Sequence, residues 1–173
     1  MKNLFIIAVL LGASSCAGVP QSNSIPFSSV ESVPFGKATT ADIRKRFGEP
    51  DEVVRLDRDT AIWSYHSKPQ GGLPTSDRLN ITMNLTSNRA VGAIWFPEAK
   101  DHLSSREAIF SHFSGAGFNR KVVGQVGKDY FSDDEIYTSP EQGISFYLNS
   151  VSHTVEHIAV SEPILGQKLS TRE

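Results

Sequence analysis

One stretch of this chain limits its fold more than any other. Leu79-Asn80-Ile81-Thr82-Met83-Asn84-Leu85-Thr86 alternates apolar and polar residues without a fault. Successive side chains of a strand point to opposite faces, so this period of two predicts a strand with one face buried and the other wet. That is the signature of an antiparallel sheet covered on one side only. Gly143-Ile144-Ser145-Phe146-Tyr147-Leu148-Asn149 alternates in the same way. Further strands are predicted at Val53–Leu56, Ala61–Tyr65, Ala90–Phe96, Val122–Val126, Glu135–Thr138 and Val155–Val160, separated by turn residues.

Each set of strands follows a helix signal. Thr39-Thr40-Ala41-Asp42 fits a capping box, in which Thr39 accepts from the N3 amide and Asp42 reaches back to the cap amide. Ile43 and Phe47 then share a face, Gly48 suits a left-handed stop, and Pro50 prevents resumption. Ser104-Ser105-Arg106-Glu107 is a second capping box, with Ile109 and Phe113 on the apolar side. The two passes lie about 65 residues apart, a spacing that suggests a tandem duplication.

The N-terminus carries an address. Lys2 precedes the apolar run Leu4–Leu11, which is too short to span a bilayer that needs about 20 apolar residues. Small residues follow at Gly12–Ser15, and then comes Cys16, the one cysteine of the chain. Ala13-Ser14-Ser15-Cys16 resembles the bacterial lipobox, which implies cleavage before Cys16, a diacylated thiol and an acylated new amino terminus. Two or more acyl chains, at about 0.8 kcal/mol per buried methylene, anchor stably. Ala17 after the cysteine favours the outer membrane by resemblance to sorting rules. The alternative is an ordinary secretory signal with Cys16 a stray thiol. Residues 19–35, rich in Ser, Pro, Asn and Gln, read as a tether, with Ile25-Pro26-Phe27 or Val33-Pro34-Phe35 as points that could pack on the body.

Gly36-x-x-Thr39-x-x-Asp42-Ile43-x-x-x-Phe47-Gly48-x-Pro50, then Trp63-x-Tyr65 and the strand at Leu79–Leu85, resembles the SmpA/OmlA (BamE-like) family of outer-membrane lipoproteins over residues 36–97. A tandem of such units resembles the layout of β-lactamase inhibitory protein, whose sheet surface grips an enzyme. The implied fold class is α+β: tandem BamE-like/BLIP-like units, each a short helix or helix pair packed on a three- to four-stranded antiparallel sheet. The expected organisation is a signal peptide at 1–15, a lipidated N-terminus and tether at 16–35, a first unit at 36–99, a second, diverged unit at 100–163 and a tail at 164–173.

Chemistry is sparse in the sequence. The lone cysteine rules out an internal disulfide framework and a thiolate metal cluster. Lys+Arg 17 against Asp+Glu 19, a net charge of −2, argues against a nucleic-acid partner. His153 and His157 have metal-pair spacing only if helical; on a strand they stand about 13 Å apart. Asp133-Asp134-Glu135 and Asp57-Arg58-Asp59 read as solvated charged turns. Neither a Gly-x-Ser-x-Gly elbow nor a phosphate-cradling glycine loop is present. Trp63, Tyr65, Trp95 and Phe96 read as core, although alternation gives the 90–96 strand two apolar faces.

The expectation is therefore a protein with no catalytic, cofactor-binding or metal residues, lipidated at Cys16 and facing the periplasm from the outer membrane. It would bind an envelope protein as an assembly or maintenance accessory, through partner-binding residues that the sequence does not identify. The alternative is an inhibitor or sequestering module that uses its sheet surface.

Overall fold

The computed structural model describes residues 25–66, 77–98, 101–124 and 133–164. The apolar run 4–11, Cys16, the loop at 68–76 and the tail beyond 164 lie outside the described residues.

Alternation does build strands where the sequence places them. β1 (Glu52–Arg55), β2 (Thr60–His66), β3 (Asp77–Asn84) and β4 (Arg89–Trp95) form one antiparallel meander. β5 (Asn119–Gly124), β6 (Asp133–Ser139), β7 (Ile144–Leu148) and β8 (Val155–Ser161) form another. Of the predicted 122–126 strand, residues 125 and 126 lie outside the described residues.

The two meanders are not separate units, and this corrects the expected fold class. β4 pairs antiparallel with β8, from Gly92↔Ser161 to Trp95↔Ile158, giving one eight-stranded sheet ordered β1-β2-β3-β4-β8-β7-β6-β5. The fold is sheet-dominated rather than a tandem of helix-on-sheet modules. An exposed edge strand is a row of unsatisfied backbone donors and acceptors, and joining two meanders edge to edge removes two of the four edges. The buried apolar residues of both meanders form a single core cluster.

Among the described residues three short helices cover one face: α1 (Phe27–Glu31), α2 (Thr40–Phe47) and α3 (Arg106–His112). The Thr39 capping box forms, with Thr39 Oγ1 accepting from Asp42 N and Thr39 N donating to Asp42 Oδ2 at 2.9 Å. Gly48 closes α2 at φ 85°, and Tyr65 Oη donates to its carbonyl at 3.3 Å. Thus the Phe47-Gly48 end of the helix and the Trp63-x-Tyr65 strand meet: the Phe47 and Tyr65 rings lie 5.8 Å apart at a tilt of 54°, and the Arg44 guanidinium lies 5.0 Å from the Trp63 ring. The second cap differs from expectation. Ser105, not Ser104, is the N-cap, and its N3 residue is Ala108, which has no side chain to complete a box.

The segment expected to be tether belongs to the body from Phe27 onward. Phe27, Val30, Val33 and Phe35 are buried in the core cluster. The Phe27 ring lies 5.2 Å from Trp95 and 5.9 Å from Phe113, and Trp95 Nε1 donates to the Ile25 carbonyl at 2.8 Å. The three rings pack together in the helical layer beside α3.

Candidate functional site

The registers fix which residues share the uncovered face. One row crosses all eight strands: Glu52–Ser64–Asn80–Ile94–Ala159–Ser145–Thr138–Asn119. At about 4.8 Å between strands, the row runs about 34 Å. Its charge is confined to Glu52 at one end. Exposure along it is uneven: Ile94 in the row and Val54 beside it are 37 % and 41 % exposed, whereas Ser64 is buried. Beside the row stands an aromatic group. His157 stacks on Tyr147 with centroids 5.3 Å apart and planes at 14°, and Phe96 sits 6.0 Å from His157. Ile136 and then Lys121 continue this second row toward β5.

The aromatic group is held in place from below. Tyr147 Oη donates to Asp134 Oδ2 at 3.2 Å, and the other Asp134 oxygen accepts from Ser150 N at 3.2 Å. Burial lowers the His157 pKa below its ordinary 6.5, so the imidazole is neutral at pH 7 and stacks without the cost of a buried charge. The arrangement offers a broad, mostly uncharged surface with rings held by stacking and hydrogen bonds, which suits it to contact with another macromolecule. Phe96, read as core, is half-exposed in this group, while Trp63, Tyr65 and Trp95 are buried on the covered face.

Two polar constellations lie elsewhere. Under α3, the Glu135 carboxylate accepts from Arg120 and, at 2.6 Å, from Tyr137 Oη, bonds that hold its pKa below the carboxylate norm. Arg106 caps the cluster, 5.5 Å above the Tyr137 ring. The adjoining cavity is about 180 Å³, smaller than ordinary ligand sites. At the other constellation Arg78, 1 % exposed, donates to the Phe96 carbonyl at 2.7 Å and to Asp101 Oδ2 at 3.0 Å. Glu98 lies 3.6 Å from the same guanidinium, so this cluster clasps the chain after β4 to β3.

The residues singled out in the sequence are dispersed. Cys16 lies outside the described residues. His153 sits in a turn at φ 54°, apart from the metal pairing rejected above, whereas His157 joins the aromatic group. The acidic run is not a solvated turn: β6 begins at Asp133, burying Asp134 on the open-face side and placing Glu135 on the covered side. Among the described residues no group of three His, Cys, Asp or Glu side chains is placed to hold a metal ion. Asp57-Arg58-Asp59 is a hairpin tip closed by Arg55, which donates to the Asp57 and Arg58 carbonyls. What the sequence missed is the aromatic group. Tyr147 and His157 are ten positions apart, and only the β7–β8 register, shifted by a bulge after Tyr147, makes them neighbours.

Among solved structures the chain is similar to YjgB, a DUF4309 family protein from Bacillus subtilis, at 15% identity over 73% of this chain and 80% of that one, with a TM-score of 0.42. No family model and no curated protein matches the chain.

Proposed function

We propose that this chain is a periplasm-facing outer-membrane lipoprotein, held through acylated Cys16, that binds another envelope protein on the open face of its sheet and catalyses no reaction itself. The observation that carries the binding role is the uncovered row through Ile94 with its Phe96–His157–Tyr147 group, an aromatic surface with charge only at its margins. The sequence supports the anchor, through the run Leu4–Leu11 and the placement of the lone cysteine, and the resemblance to SmpA/OmlA lipoproteins supports an assembly or maintenance role.

The test places a photo-crosslinking residue at Ile94 or Lys37 in living cells. Adducts to one protein from Ile94 and not from Lys37 are expected; equal adducts from both, or none from Ile94, refute the assignment. An adduct with a barrel-assembly component supports the accessory role. An adduct with a soluble hydrolase supports the second reading, an inhibitor or sequestering module, which the same aromatic face favours. Cys16→Ser is expected to move the protein from the membrane fraction to the soluble periplasm, and unchanged partitioning refutes the anchor.

A further inference from the structure

The helical side of the molecule differs from the open face in charge. Between the 33–38 turn and α2 runs a groove of about 620 Å³, with Val33, Pro34, Ala38 and Ile43 along it. Lys37, Lys45 and Arg46 stand on its rim, against one carboxylate, Asp42. Asp42 is already engaged, accepting from both Thr39 N and Thr39 Oγ1. Among the described residues the side chains of Lys37 and Lys45 make no ion pair or hydrogen bond, although the charge of Lys45 helps lower the Asp42 pKa. Arg46 donates only to neutral oxygens, Ser29 O at 3.0 Å and Ser32 Oγ at 2.5 Å. Of the other acidic groups of this side, Glu49 pairs with Arg44, Glu31 contacts His112 Nε2 at 3.2 Å, and Glu162 lies across the neighbouring cavity beside Gly36. Three cations and a single carboxylate therefore line the apolar floor of this groove. The open face has the opposite bias, with Glu52 and Asp134 against Lys121.

The chain itself supplies the second consideration. Ile25 leaves the body within this helical layer, tied to Trp95. Eight residues, nine steps along the chain, join it to Cys16, and even fully extended they reach only about 30 Å. An anchor at Cys16 thus keeps the point where the chain enters the helical layer within about 30 Å of the bilayer, close enough for that layer to rest on it.

We propose that this groove is a membrane-docking surface that seats the phosphates of anionic phospholipids against Lys37, Lys45 and Arg46, so that the open sheet face is turned toward the periplasm. The proposal deepens the lipoprotein reading, but its electrostatic part stands without the acyl chains. Attraction of basic residues to an anionic surface is worth about 1 kcal/mol each. Loss of two therefore lowers the partition coefficient about thirtyfold.

The test is sedimentation of the unacylated full chain, carrying Cys16→Ser, with vesicles of phosphatidylcholine alone or with 30 mol% phosphatidylglycerol (about a third of the lipid) at low salt. Binding to the anionic vesicles only is expected, with Lys37→Gln/Lys45→Gln reducing it about thirtyfold. Lys121→Gln, on the opposite face, leaves it unchanged. Equal binding to both vesicle types, no binding to the anionic ones, or a Lys121→Gln loss matching the double variant overturns the proposal. Neither lysine holds the fold, so the double variant melts as the parent does. A chain that fails here yet is acylated at Cys16 and crosslinks through Ile94 loses only the docking surface and keeps its proposed function.

Discussion

Phe27→Ala is the perturbation that most sharply separates a packed N-terminal segment from a tether. Phe27 is 1 % exposed and touches the rings of Trp95, Phe113 and His112, with centroids 5.2, 5.9 and 6.0 Å away. Truncating a buried Phe costs about 3–5 kcal/mol, from lost transfer energy and the cavity left behind. α1 has only five residues and can settle toward the gap, which favours the lower end. At about 3 °C per kcal/mol for a body of this size, the melting temperature falls by about 10 °C. The control is Ser28→Ala, one residue along on the exposed side of the same helix, which is expected within about 0.5 kcal/mol of the parent. Thermal melts and urea titrations of both variants read the difference. If Phe27→Ala melts within 2 °C (under about 1 kcal/mol) of Ser28→Ala, residues 27–35 do not belong to the core and the account of the helical layer fails.

Thr39→Ala removes the α2 cap and is expected to cost about 1 kcal/mol by urea titration. Asp42 depends on the same box: its backbone and side-chain bonds to Thr39 lower its pKa from 3.8. A carboxylate with a lowered folded pKa stabilises fully above the unfolded value and loses that stabilisation as pH falls through the folded one, so the stability gap between parent and Asp42→Asn should close below about pH 4. Arg78→Met leaves Asp101 and the Phe96 carbonyl without their donor and should cost about 2–4 kcal/mol, discounted from a fully buried pair because the carboxylates are partly exposed; Asp101→Asn in the same chain should recover part of it in a double-mutant cycle. His157, half-buried and neutral at pH 7, should titrate by NMR with a midpoint below 6.5, and stability should rise with pH from that midpoint to 6.5 and level off above 6.5.

Local features were legible in the sequence because local physics determines them. The Thr39 box, the Gly48 stop and the alternation of Leu79–Leu85 each need only a few neighbouring residues, and each forms a helix end or a strand. What escaped was non-local. No pattern in Ala90–Phe96 or Val155–Val160 says that these strands pair with each other, since both read equally well as the last strand of a private sheet. Phe27 and Val30 do carry a helical i, i+3 spacing, but Pro26, Pro34 and the intervening serines mask it as linker. Alternation sorted Ile94 and Phe96 onto one face and Trp95 onto the other, yet could not say which face the helices would take. That was decided by bulk, because the covered side receives Trp63, Tyr65 and Trp95.

The choice of face also bears on the kind of function the molecule supports. Helices of five, eight and seven residues rise about 7, 12 and 10 Å, too little in total to shield both sides of a sheet about 34 Å wide. Had the chain split into two four-stranded units, each could have packed its bare face on the other, and the Ile94 row would have become an interior. Fusing β4 to β8 prevents that, because the two halves now lie side by side in one surface. Among the described residues no second layer lies on this face, and Ile94 and Val54 are exposed and Phe96 and Tyr147 partly so instead of lying in a core. A buried pocket would need a second layer that this chain does not provide among its described residues. Recognition is therefore expected from the breadth and rigidity of the sheet, with the β7–β8 register that stacks Tyr147 on His157 setting the contact geometry.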